Sequence, residues 1–118
     1  MTERIEVDIC VIGAGSAGLS IAAGASQMGA SAVLIEKGRM GGDCLNYGCV
    51  PSKSLLAAGK AAQGHRLAAR MGVRFGEPDI DFNGVHDHVK GVIEAIAPND
   101  SVARFEGLGV TVIRGAAP

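Results

Sequence analysis

At 118 residues the chain is one domain's worth of polypeptide, long enough for a core but short for a multi-domain enzyme. Hydrophobic residues make up 47%, which argues against disorder, and aromatics only 3%, so the core must come from Val, Ile, Leu and Ala, with 18 glycines letting backbones approach closely. A net charge of -1 provides no electrostatic footprint for nucleic acid or an anionic membrane.

The amino terminus, "MTERIEVD", lacks the positive start and apolar block of an export signal. Residues Ile9 to Ile35 carry no formal charge, as a membrane span would, but five glycines, four serines and Gln27 break that stretch up. It reads better as strand, turn, helix and strand. A reducing cytoplasm is the expected compartment, and there a cysteine pair is more often catalytic or metal-binding than structural.

The first element, "EVDICVI" over Glu6–Ile12, is a short apolar run of the kind that lies buried on both faces of a parallel sheet. Within it Cys10 reads as a small buried residue. A helix is expected over 15–28, stopping at Gly29, and a second buried strand over Ser31–Glu36. Strand, helix and strand in this span make a βαβ unit with parallel strands.

The turn between the first strand and the helix reads "GAGSAG", Gly13-Ala14-Gly15-Ser16-Ala17-Gly18, which is the dinucleotide-binding fingerprint in its expected place. Gly13 permits the tight turn, Gly15 lets backbone approach a pyrophosphate, and Gly18 lets helix pack on strand; the helix start supplies amide donors. The pattern alone is weak. The second strand, however, ends in Glu36, which places a carboxylate where a ribose hydroxyl pair would lie and disfavours a 2′-phosphate. FAD and NAD both suit it; NADP does not.

Next comes "GGDCLNYGCVPSK", Gly41 to Lys53, with two cysteines five positions apart. A structural bridge, a metal pair and a redox couple would all leave this mark. On a regular helix such a spacing gives about 7.5 Å of rise, beyond the roughly 7 Å limit for a disulfide, so a Cys44–Cys49 bridge needs irregular backbone, which Gly48 can supply. Pro51 belongs in a first helical turn, so a helix should begin near Cys49, where its dipole favours thiolate; Lys53 adds positive charge one turn on. Zinc is the weaker explanation, because Cys10, His65, His86 and His88 complete no ligand set, and the two histidines at 86 and 88 point to different helix faces.

The helix from Cys49 should run to about Arg70, with Leu55, Leu56, Ala58, Ala62 and Leu67 available for a buried face. A turn-rich segment, "MGVRFGEPDI", follows. Asp81 reads as the N-cap of a helix that ends before Pro98, and "PNDSVARFEG" as a further short helix with Pro98 near its first turn. A third strand is expected over Val110–Arg114, giving an α/β fold.

Residues 7 to 53, through "VIGAGSAGL", "VLIEK" and "GGDCLNYGCVPSK", resemble the FAD domain of the class I pyridine nucleotide-disulfide oxidoreductases. Asp43, where many members carry Thr, and the later "IAPNDSVARFEGLGVTVIRG" point towards the branch of dihydrolipoamide dehydrogenase and mercuric reductase. The resemblance implies a Rossmann-like FAD-binding unit, incomplete relative to the family: residues 1–118 would be the amino-terminal part of the FAD domain, without nicotinamide and dimerisation domains. It implies that Gly13, Gly15, Ser16, Ala17 and Gly18 hold the FAD pyrophosphate region and Glu36, beside Lys37, the adenosine ribose. Gly42, Asp43 and the start of the Cys44 loop would approach the cofactor. Cys49 would be the flavin-side thiol in charge-transfer contact, Cys44 the exposed thiol that exchanges with substrate, and Lys53 a charge near the flavin N5. Electrons would run from NAD(P)H to FAD, to the Cys44–Cys49 disulfide, and to a disulfide or metal-ion acceptor, in a family whose full-length members are homodimers; no metal-binding site, nucleic acid or membrane partner is implied. Two other readings stay open on the residues alone: an NAD-binding Rossmann module, which leaves the cysteines unexplained, and a non-enzymatic thiol or metal-binding protein, which leaves the fingerprint unexplained.

Overall fold

The computed structural model describes residues 2–118. Three parallel strands, β1 (Ile9–Ile12), β2 (Ala32–Glu36) and β3 (Thr111–Arg114), form one sheet in the order β1-β2-β3. Cys10 lies opposite Val33 and Val33 opposite Thr111, so all three carboxyl ends emerge at the same edge. Helix α1 (Ser16–Gln27) connects β1 to β2, as the βαβ reading requires.

The strand expected from Glu6 begins only at Ile9. Pairing sets this limit, because β2 offers no partner before Ala32, which faces Ile9. Asp8 is instead occupied at the entrance, where the Ser31 amide and hydroxyl both donate to its carboxylate at 2.8 and 2.7 Å. The expected burial of β1 on both faces is also corrected: Val11 is buried under α1, while Cys10 and Ile12 are exposed. Cys10 is therefore not the small core residue its apolar surroundings imply.

The core occupies one side of the sheet. Val11, Ala32 and Leu34 pack with Leu19, Ala22 and Ala25 of α1 and with Phe105 and Val110. Alanines on α1 let the helix sit close to the strands, and Phe105, only 1% exposed, fills much of the remaining space. Gly29, with φ +85°, ends α1: the Ala30 amide turns back to the Ala25 carbonyl at 2.9 Å.

Beyond β2 the chain makes a five-residue helix, α2 (Gly42–Asn46), that the sequence reading does not foresee, and then α3 (Cys49–Arg70), which spans the expected range. Residues 71–81 are exposed and irregular. Helix α4 (Phe82–Ile96) packs back along α3, with Asp81 at the N-cap position but its side chain making no capping bond. The single helix expected across "PNDSVARFEG" is divided into a 3-10 turn, Ala97–Asp100, and α5 (Val102–Gly107). Ser101 divides them: its extended backbone starts a new helix, and its hydroxyl accepts from the Arg104 amide at 3.2 Å.

The apolar face expected on α3 is buried only in part. Leu55, Leu56 and Leu67 are exposed, while Ser54 and Ala68 are buried and Ala58, Ala62 and His65 half-buried. Small side chains at a spacing of four permit the close approach of α4; Leu55 borders a cleft with Phe82, Val85 and Val89 of α4, and Leu56 and Leu67 stay exposed. The buried Ser54 hydroxyl is satisfied by donating to the Val50 carbonyl at 2.8 Å. His86 and His88 are exposed, as expected.

This distribution of burial predicts a sharp contrast. Phe105→Ala should cost about 3–5 kcal/mol of stability, whereas Phe82→Ala, at a residue 70% exposed, should change it by about 0.5 kcal/mol or less. Urea denaturation of the two variants measures both.

Candidate redox and dinucleotide site

Gly13 adopts φ +100°, a conformation that side-chain-bearing residues rarely take, and its amide donates to the Ile35 carbonyl at 2.7 Å. This turns the chain off β1 and into α1. A side chain at Gly18 would overlap the Gly13 carbonyl oxygen, so helix and turn touch there. At Gly15, by contrast, a side-chain carbon would meet nothing within 4 Å. The loop is thus tight on its protein side and open above Gly15, and Ser16 and Ala17 present the exposed first turn of α1, whose leading amides have no partner within the helix.

Glu36, at the end of β2, reaches across to this loop. Its carboxylate accepts from the Ala14 amide and from the Gly38 amide, each at 2.6 Å. Those two bonds, the Ala14 bond first, hold its carboxyl below the ordinary glutamate value of 4.5. Arg114 at the end of β3 contributes further positive charge, and its guanidinium donates to the Gly38 carbonyl at 2.6 Å. The sequence reading overlooks Arg114; that the third strand must end beside the second was the signal available for it. A cleft of about 390 Å³ opens at these strand ends, lined by Ile12, Gly13, Ile35, Glu36, Lys37 and the 115–117 segment. In parallel α/β sheets, nucleotides bind at this edge. The site residues fit a dinucleotide: a carboxylate with bound amides at the cleft, an open glycine and a helix start.

The cysteine segment is fastened to the same loop. The Gly41 amide donates to the Ala14 carbonyl at 2.9 Å. Gly42, with φ +59°, sits so close that a side-chain carbon there would lie 2.6 Å from the Gly15 Cα. Gly42 accordingly approaches the glycine loop itself. Asp43 is exposed in the first turn of α2. Tyr47 and Gly48 then break the helix between the cysteines, which is the irregular backbone that their spacing demands; a side chain at Gly48 would come within 2.9 Å of the Asp43 carbonyl oxygen. Cys49 opens α3, and Pro51 lies in its first turn.

Cys44 and Cys49 are free thiols, Cys44 half-buried and Cys49 exposed. That exposure reverses the expected order, in which Cys44 is the open thiol. Hydrogen bonding with the Cys49 thiol, then with the Ser16 side chain, lowers Cys44, whereas the same bond to Cys44 raises Cys49. Lys53, exposed one turn along α3, lowers both by its charge. The two thiols therefore titrate as a pair. No group of metal-ligating side chains occurs among the described residues, and no helix there is long and apolar enough to cross a membrane.

A family model for the pyridine nucleotide-disulphide oxidoreductases matches residues 7–114. The chain belongs to this family. Among curated relatives, a dihydrolipoyl dehydrogenase of Halobacterium salinarum is 38% identical over 85% of the chain and 22% of the relative. A mercuric reductase of Streptomyces lividans is 37% identical over 93% of the chain and 23% of the relative. A dihydrolipoyl dehydrogenase of Vibrio parahaemolyticus is 36% identical over 98% and 24%. The chain thus spans about a quarter of the length of the curated relatives it matches. The branch anticipated from Asp43 and the later segment agrees with these names.

The Glu36 bonds predict an acid signature. A carboxyl lowered on folding adds stability above its unfolded value, and that contribution disappears as pH falls through the folded value. Wild type should therefore lose stability more steeply below about pH 4.5 than Glu36→Gln, as followed by denaturation at graded pH; parallel curves would show that the carboxylate does not hold the loop.

Proposed function

We propose that this chain is the FAD-binding and redox-disulfide portion of an enzyme that carries electrons from NAD(P)H to a disulfide or metal-ion acceptor. The observation that carries this reading is the seating of Gly42 on Gly15, which fastens the cysteine segment to the dinucleotide loop. An NAD-binding module alone gives no reason for that contact. Family membership supports the oxidoreductase class, and the site residues would accommodate FAD. When bound, FAD would supply the two-electron transfer between NAD(P)H and a disulfide.

This chain's residues would then act in defined ways. Glu36 would release the Ala14 or Gly38 amide to accept from ribose hydroxyls, and the amides of Ser16 and Ala17 would face the pyrophosphate. Gly13 and Gly18 would hold the turn, and Lys37 would stand at the cleft rim. Reduction of the Cys44–Cys49 bridge takes two electrons and, on full protonation, two protons. Cys44, the sulfur with the lowered thiol, would attack an acceptor disulfide, forming a mixed disulfide and releasing one substrate thiolate. Cys49, losing its proton, would then attack the Cys44 sulfur, releasing the second and restoring the bridge. Lys53 would stabilise negative charge on the pair. Cys49, exposed at the start of α3, has the open side that a flavin-side thiol needs. The whole protein would work as a cytoplasmic homodimer on a small-molecule acceptor, without nucleic acid or a membrane partner.

Two measurements test this reading. Glu36→Ala should weaken FAD binding by about 1–3 kcal/mol in a flavin-fluorescence titration, through loss of charge-assisted hydrogen bonds; equal affinity would assign Glu36 to loop support alone. Air oxidation should give a Cys44–Cys49 bridge in a peptide mass map, and its absence would remove the redox assignment.

A further inference from the structure

We propose that the α3–α4 arm is a self-association surface, on which a second copy of this chain seats about a two-fold axis with its α4 against α3 and its α3 against α4. The two helices stand away from the sheet: the principal neighbours of α3 are α4 and α2. The molecule is accordingly 70 Å long against 28 and 21 Å across, and its radius of gyration of 20.3 Å exceeds the about 13–14 Å of a compact domain of this length. Within the arm little is buried. Helix α3 buries only Ser54 and Ala68, and α4 buries no residue. Most of the large apolar side chains left exposed lie here, among them Leu56, Leu67, Met71, Phe75, Ile80 and Phe82. A pair of helices with so small a shared core is marginal in water, so it gains stability when its apolar surface is covered.

The charges identify the partner. Helix α3 exposes Lys53, Lys60, Arg66 and Arg70 and carries no acid, whereas residues 76–96 expose Glu77, Asp79, Asp81, Asp87 and Glu94 against Lys90 alone. These charges do not pair within the arm, since the only ion pair among the described residues joins Arg4 to Glu6. A partner of one sign would suit one half of the arm and repel the other. A second copy suits both, because a two-fold operation brings the basic helix of each against the acidic helix of the other. Helices of 22 and 15 residues, about 33 and 22 Å long and about 11 Å across, present roughly 600 Å² per copy, which is the lower end of specific interfaces. The open sheet face at Cys10 and Ile12 is the rival apolar surface, and it offers no such pattern of charge.

The inference is independent of flavin binding and of the cysteine pair. Sedimentation equilibrium of the chain under reducing conditions, at loadings from about 1 to 200 μM, should show its mass rising from 11.9 kDa towards twice that value, and about 0.5 M salt should reduce the rise. Two sets of charge reversals test the pairing. Lys60→Glu, Arg66→Glu and Arg70→Glu together give α3 the sign of α4; Glu77→Lys, Asp87→Lys and Glu94→Lys give the 76–96 segment the sign of α3. Each set alone should raise the dissociation constant about tenfold or more, with circular dichroism showing that the helices are kept. An equimolar mixture of the two should recover a heterodimer, because every reversed helix then faces its opposite. A chain that stays at 11.9 kDa at every concentration overturns the proposal and leaves the arm to a different partner. So does a mixture that associates no more tightly than either variant alone, or a dimer that Ile12→Ser removes and the reversals leave intact.

Discussion

The site depends on how closely two stretches of backbone approach. Gly42 lies where any side chain would collide with the Cα of Gly15, and the neighbouring Gly41 amide is bonded to Ala14. Neither residue has a side chain, and both occupy left-handed backbone at φ +91° and +59°. A residue with a Cβ at position 42 would be strained and sterically excluded together, so the approach is available to glycine alone. Through this contact the start of α2 is fixed to the dinucleotide loop. The positions of Cys44, two residues on, and of Cys49, one break further on, follow from it.

A second consequence concerns charge. The glycine turn gathers backbone donors, and Glu36 takes the Ala14 and Gly38 amides at 2.6 Å. The carboxylate thereby both closes the strand ends of β1 and β2 and stands at the cleft where a ribose would lie. Ligand binding at that cleft would exchange hydrogen bonds that the loop already makes, so the donors are oriented before a ligand arrives. Arg114, bonded to the Gly38 carbonyl, brings β3 into the same arrangement. All three strands therefore contribute to one edge, as their parallel register requires.

Much of this was legible from residues that lack alternatives. The glycine spacing at 13, 15 and 18, the acidic end of β2 and the range of α3 each rest on a local rule with one outcome. What misled was inference from apolarity. Cys10 and Ile12 lie on a sheet face that α1 does not cover, and Leu56 and Leu67 stay exposed on α3 while Ala58 and Ala62 are half-buried. Which apolar face is buried depends on the partner element, and periodicity along one element does not report it. The surroundings of the cysteine pair were illegible for a related reason. A helix start favours thiolate at Cys49, but the placing of Cys44 beside the glycine loop depends on α2, a helix of five residues that no sequence signal announced.

The account holds that dinucleotide loop and cysteine pair form one site. Protection of Cys49 by FAD measures this most directly: the reduced chain is alkylated with N-ethylmaleimide at graded FAD concentrations, binding is followed by flavin fluorescence, and each cysteine is read by peptide mass. The Cys49 rate should fall along the same curve that describes FAD binding, with Cys10, on the open sheet face, unaffected. FAD that binds while the Cys49 rate stays constant, or an absence of FAD binding, would contradict the account.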